Sequence, residues 1–196
     1  MPRLPSKITI IQGHPDSSRR HLCHALADAY ADAASLAGHD VSRIEIAGIA
    51  FPMLRTKEEF NSGTPPASLK PAADAIVAAD HIVLVFPLWL GTMPALAKAF
   101  LEQVIRPGLA FSYEKYGAKK LLAGRSAHIV VTLGMPAWLY RTFYCSHGIR
   151  GLRRNIFKFV GFSPVRTTMF GMVENASDPT KSRWLDIMRK NRAKAR

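Results

Sequence analysis

The chain has 196 residues, 48% of them hydrophobic, enough for one sizeable core and short for two, so a single domain over residues 1–196 is expected. Its 27 Lys and Arg against 14 Asp and Glu give a net charge of +13, which calls for an acidic partner or ligand: nucleic acid, anionic lipid or a phosphate-bearing cofactor. Charge, Gly or Pro interrupts every apolar stretch well before the roughly 20 residues that span a bilayer, the start "MPRLPSKITIIQGHP" is too briefly apolar for a signal peptide, and Cys23 and Cys145 form neither a C-x-x-C pair nor metal-ligand spacing. Neither stable membrane insertion nor a metal site is therefore expected, and a reducing cytoplasm fits best.

Strands and helices alternate along the chain. The segments Lys7 to Gln12, His81 to Phe86 and Ser126 to Leu133 are short, rich in Ile and Val, and almost continuously apolar, as strands buried on both faces should be. Asp40 to Ile46 and Pro164 to Val173 alternate more and read as strands with an exposed face or edge. Helices are expected over Arg20 to Ala37, Leu69 to Ala79, Pro94 to Ile105, Tyr140 to Phe159 in one or two pieces, and Pro179 to Asn191. Such alternation predicts an α/β fold with a parallel sheet and right-handed crossovers. The segment "FPMLRTKEEFNSGTPPAS" reads as a long surface loop, and the basic run at residues 189–196 as a solvated helix end.

In an open parallel sheet, ligands bind outside the carboxyl ends of the strands. After the first strand, "GHPDSSRRH" offers Gly13 for a turn, Ser17 and Ser18 as helix caps, and His14 beside them, which together make an anion site. It has neither G-x-G-x-x-G nor G-x-x-x-x-G-K spacing, so it is neither a dinucleotide fingerprint nor a P-loop. After the third strand, "FPLWLGTMPALAKAF" breaks into Pro87, Trp89, Gly91 and Pro94, so that Leu88 to Gly91 present main-chain amides and an apolar edge. Trp89 either caps the core or shapes a ligand-binding floor. After the fourth strand, "TLGMPAWLY" supplies Thr132, Leu133, Gly134 and Met135, and "YCSHG" adds His147. Two small-residue loops facing one crevice suit a planar ring system.

Taken in order, "GHP…S", "FPLWLGTMPALAKAFLEQV", "GLAFSYE", "VVTLGMPAWLY" and "HG" resemble the NAD(P)H quinone reductase family, flavodoxin-like flavoproteins of the DT-diaphorase type. The resemblance runs from about Lys7 to Met188. It implies a three-layer sandwich around a five-stranded parallel sheet in the order 2-1-3-4-5. It also implies FAD or, alternatively, FMN as cofactor, NAD(P)H as electron donor, a quinone-like acceptor and a homodimer. His14, Ser18 and His21 match the positions that hold the flavin's phosphate side; Pro87, Leu88, Trp89, Leu90 and Gly91 those that lie against its ring; and Thr132, Leu133, Gly134 and Met135 those at its other edge. Tyr140 and His147 match the pair placed near N1/O2, where donors stabilise the charge of the reduced ring, and histidine is a residue type suited to proton transfer near neutral pH. Phe111 and Tyr113 match aromatics lent to the partner's active site. The chain departs from the family in Arg19 and Arg20 of the first loop, in Met135 and Pro136 of the fourth, and in one extra residue between Tyr140 and His147. A non-catalytic flavin-binding or regulatory subunit, for example of an ion-efflux system, is the alternative. A nucleic-acid binder is disfavoured, because the basic clusters have no interleaved aromatics and no known motif.

Overall fold

A computed structural model describes residues 5–62 and 64–191. Its central sheet has five strands, β1 (Lys7–Gln12), β2 (Asp40–Glu45), β3 (His81–Pro87), β6 (Ser126–Thr132) and β7 (Val165–Phe170), all parallel and ordered β2-β1-β3-β6-β7. This is the expected order. Between β3 and β6 lies an antiparallel hairpin, β4 (Phe111–Glu114) and β5 (Gly117–Lys120), which no pattern in the sequence predicts. Four-residue strands with mostly exposed side chains carry almost no periodic signal.

Alternation along the buried strands builds two cores. Ile82, Leu84 and Phe86 of β3 and Ala127, Ile129 and Val131 of β6 point to the face covered by α3 (Lys70–Ala78) and α4 (Ala95–Val104). Val83, Val85 and Val130 point to the face covered by α1 (Leu22–Leu36) and α8 (Asp178–Asn191), where Leu26, Tyr30, Trp184 and Met188 pack. Both faces being covered explains why these strands read as unbroken apolar runs.

Several boundaries shift. The loop after β2 contains a short helix, α2 (Lys57–Asn61), started by the Thr56 hydroxyl accepting from the Glu59 amide. The helix expected over Tyr140 to Phe159 divides into α5 (Ala137–Thr142), α6 (His147–Gly151), a π-helical segment Leu152–Phe157 and α7 (Lys158–Val160). Cys145 and Ser146, at φ 49° and 50°, interrupt it. Of the basic run at 189–196, residues 192–196 lie outside the described residues.

Candidate flavin site at the carboxyl ends of the strands

The crevice forms where β1, β3 and β6 end. Gly13 leaves β1 with its amide on the Val85 carbonyl (2.7 Å), and a side chain there would meet that oxygen and Phe86 Cβ at 3.0 and 3.1 Å. Glycine thus lets the first loop lie against β3. Gln12 is buried, its Oε1 accepting from the His14 amide (2.9 Å) while its Nε2 has no partner. This donor was missed in the sequence, because a glutamine closing an apolar strand has no local signature.

The first loop folds onto Asp16. The Ser18 amide and hydroxyl both donate to Asp16 Oδ1 (2.8 and 2.6 Å), and His21 Nε2 lies 2.8 Å from Oδ2. These bonds, the Ser18 hydroxyl foremost, hold the exposed carboxyl well below the usual range. Ser17 and Ser18 therefore do not cap α1. His21 occupies the N-cap position, and its amide donates to His24 Nδ1 (3.1 Å). Ser18 is drawn away because an Asp two residues earlier closes a tighter local turn. The His14 and His21 rings stack at 3.8 Å, with Trp89 edge-on to His14 at 6.3 Å. Burial, then the neighbouring His21, lowers the His14 pKa and favours its neutral ring.

At the end of β3, the Leu88 amide donates to the Thr132 carbonyl (2.8 Å), tying the second loop to β6. Trp89 and Thr92 exchange both backbone hydrogen bonds (2.9 and 3.0 Å) around Leu90 and Gly91, at φ 46° and 79°. Two positive φ values make this a tight primed-type turn. The expected row of amides is thus shorter than Leu88 to Gly91, since Leu88 and Trp89 spend theirs internally. Leu90 is fully exposed and Trp89 half-exposed, so Trp89 does not cap the core. A side chain built on Gly91 would meet nothing within 4 Å, so the space beside the turn is open.

The Tyr140 hydroxyl donates to the Gly91 carbonyl (2.7 Å), and its ring is 1% exposed. Its pKa is raised, by burial first, with the Ile149 and Gly148 amides acting in the opposite sense. The one proton of this phenol thus braces the turn, where the sequence suggests a donor to a ligand. Gly148 completes the brace, because a Cβ there would fall 2.2 Å from the Gly91 oxygen. His147 begins α6 next to this contact and is exposed.

The third loop is braced from β7. Leu133 is buried, its amide donating to Phe170 (2.8 Å) and its carbonyl accepting from Val173 (3.1 Å), while the Met135 carbonyl accepts from Met172 (3.2 Å). Thr132 is buried beside Cys23, Oγ1 to Sγ 3.2 Å, whereas Gly134 is exposed. Gly171 permits the close approach, since a Cβ there would stand 2.5 Å from the Ala137 nitrogen. Phe111 is 3% exposed and packs between Phe60, Tyr113 and Phe159. Tyr113, two residues on and on the same face of β4, is 65% exposed and lines with Phe111 a cavity of about 500 Å3 shared with Leu101, Ile105 and Phe159, away from the three loops. Among the described residues no group of three or more His, Cys, Asp or Glu is placed to hold a metal ion, and no helix is long and apolar enough to cross a membrane.

These features fit a flat ligand with an anionic tail: open space beside the Leu90–Gly91 turn, a half-exposed aromatic, an orphaned buried amide at Gln12, and a hydroxyl and imidazoles already closed around a carboxylate. The chain is 26% identical to an uncharacterised NAD(P)H oxidoreductase of Haemophilus influenzae over 91% of this chain and 90% of that protein. It is also 26% identical to an FMN-dependent NADH:quinone oxidoreductase of Nitratidesulfovibrio vulgaris, over 96% and 93%. The solved NAD(P)H:quinone oxidoreductase of Methanothermobacter marburgensis superposes with a TM-score of 0.80 over 96% of this chain and 98% of that one at 19% identity, a likeness of fold. The model of the flavodoxin-like fold family matches residues 6–190, and the chain belongs to that family.

Proposed function

We propose that the protein is a flavin-dependent NAD(P)H oxidoreductase that passes two electrons to a quinone-like acceptor. The observation that carries this reading is the meeting of three loops from β1, β3 and β6 around open space, with the Leu90–Gly91 turn braced from behind by Tyr140. FMN is the cofactor favoured over FAD, because the Nitratidesulfovibrio relative is FMN-dependent by name.

His14, Ser18 and His21 would hold the phosphate, with the Gln12 amide beneath them. Asp16 now takes Ser18 and His21, so phosphate binding there exchanges one anion for another. Pro87, Leu88, Trp89, Leu90 and Gly91 would support one side of the ring, and Thr132, Leu133, Gly134 and Met135 another. Bound flavin supplies the hydride chemistry. The protein's part is to orient nucleotide and acceptor in turn over the same face, exclude water with Trp89 and Leu90, and place His147 as the donor that offsets negative charge. Tyr140 acts through Gly91, holding the turn at a fixed height.

A homodimer is part of this proposal. Tyr113, Tyr116 and Phe159 are exposed at 65%, 90% and 40% around the hairpin, a surface suited to a second copy. A cytoplasmic location is proposed with it.

The test is to purify the protein, denature it and identify the released flavin by chromatography, then bleach the native protein anaerobically with NADH or NADPH. FMN and bleaching are expected, together with sedimentation at twice 21.7 kDa. A colourless protein that takes up neither FMN nor FAD would remove the proposal. One that binds flavin but is not reduced would support the regulatory-subunit alternative instead.

A further inference from the structure

From Lys115 to Val173 the chain carries ten Lys or Arg residues and no Asp or Glu. Folding concentrates part of this excess. Between α5, α6, the π-helical segment and the edge strand β7 lies a cavity of about 300 Å3, lined by Arg141, Arg150 and Arg153 together with Ser146, Thr167 and Met169. No carboxylate lines it, and among the described residues none of the three arginines takes part in an ion pair. Arg150 and Arg153, three apart in continuous helix, share one face, and Arg150 Nη1 donates to the Cys145 carbonyl (3.4 Å) across the break before α6.

Ser146 supplies an independent observation. It is only 9% exposed, lines the cavity, does not cap the helix it precedes, and its hydroxyl has no hydrogen-bond partner among the described residues. The left-handed backbone at Cys145 and Ser146, unfavourable for side chains of this kind, orients it so. A hydroxyl left without a protein partner and three like charges gathered around one cavity are both unfavourable arrangements. An entering anion with several acceptor oxygens relieves both. A purely solvated basic face would not bury the serine.

We infer that this cavity binds a phosphomonoester dianion, held by the guanidinium forks of Arg141, Arg150 and Arg153 and by the hydroxyls of Ser146 and Thr167. Arginine forks match phosphate oxygens in pairs, which makes this chemistry a better fit than a lone carboxylate. Two sources carry the group: the 2′-phosphate of a reduced nicotinamide nucleotide, or a free phosphorylated metabolite. The first rests on the function proposed above, and it is consistent with the cavity sharing the α5–α6 segment with His147.

The experiment is calorimetric titration of the purified protein, with whatever flavin it holds, by inorganic phosphate, adenosine 2′,5′-bisphosphate and 5′-AMP at fixed low salt. It is repeated on the Arg150→Gln, Arg153→Gln double variant and on Ser146→Ala. Binding of phosphate and of the bisphosphate is expected to weaken at least tenfold in the double variant and severalfold in Ser146→Ala. The three arginine side chains are exposed, so single Arg→Gln variants give the same comparison should the double variant lose its thermal transition. If the bisphosphate binds at least tenfold tighter than AMP, and the variant loses a preference for NADPH over NADH, the source is the nucleotide. If the bisphosphate and AMP bind alike and coenzyme preference is unmoved, the site takes a free phosphorylated ligand. Parent and variants that bind phosphate and bisphosphate equally weakly would overturn the inference. Phosphate titration does not depend on flavin reduction, so failure of the oxidoreductase reading leaves this result standing, and failure here leaves flavin reduction untouched.

Discussion

Gly148→Ala tests the brace behind the Leu90–Gly91 turn. Its Cβ would lie 2.2 Å from the Gly91 oxygen and 3.0 Å from Thr92 Cα and Cβ. Carbon–oxygen contacts normally begin at about 3.3 Å, so α6 and the turn must separate by about 1 Å. That stretches the 2.7 Å Tyr140–Gly91 hydrogen bond past any useful length. Overpacking costs about 1–3 kcal/mol and the lost bond about 1 kcal/mol, offset by the roughly 1 kcal/mol that alanine gains over glycine in a helix. A net destabilisation of about 1–3 kcal/mol is expected in urea unfolding, with weaker flavin binding because the turn has moved. Tyr140→Phe alone should cost about 1 kcal/mol. In the double variant that cost should largely vanish, since the first change has already broken the bond. A Gly148→Ala protein as stable as its parent, or strictly additive effects, would refute the reasoning.

His147→Ala should leave flavin bound but slow the anaerobic half-reaction with NAD(P)H roughly 10-fold to 1000-fold, whereas Tyr140→Phe should change flavin affinity more than this rate; stopped flow separates the two, and an unchanged rate in the histidine variant removes its role. Asp16→Asn should tighten flavin binding severalfold by removing the carboxylate that occupies Ser18 and His21, as read by fluorescence titration; weaker binding would show the carboxylate to be part of the scaffold. Burial, assisted by the positive charges of His128, Arg166 and His39, lowers the His81 pKa from 6.5 to about 3, so the unfolded chain takes up a proton that the fold refuses. Stability should therefore be full above pH 6.5 and fall toward pH 3 by up to about 1.4 kcal/mol per pH unit, with His81→Asn flattening the slope in urea midpoints. Thiol titration of the native protein should label Cys145 alone, because Cys23 is buried and its thiol is pushed up to about 12; rapid labelling of both would contradict the packing of α1.

Residues 7–12, 81–86 and 126–133 declared the sheet largely on their own, because strands covered on both faces are apolar at most positions, and these runs are short and rich in Ile and Val. Pro87, Gly91 and Pro94 marked the loop after β3 for an equally local reason, since each restricts or frees its own backbone. The hairpin at residues 111–120 had no such mark, for short exposed strands are paired by their neighbours rather than by their composition. Roles that depend on distant partners were also out of reach. Tyr140 reads as an aromatic near a ligand until Gly148 brings it against Gly91, and Ser18 reads as a cap until Asp16 takes its hydroxyl. Phe111 matches an aromatic lent to a partner, and only the fold shows Phe60 and Phe159 packed against it. Which atoms a side chain meets is set by the crossing of elements far apart in the chain, and hydrogen bonds and contacts of a few ångströms form only after that crossing is made. Periodicity and turn chemistry act within a few residues and are legible in the sequence; the arginines gathered around Ser146 and the glycine pressed against a carbonyl exist only once the tertiary structure has brought them together.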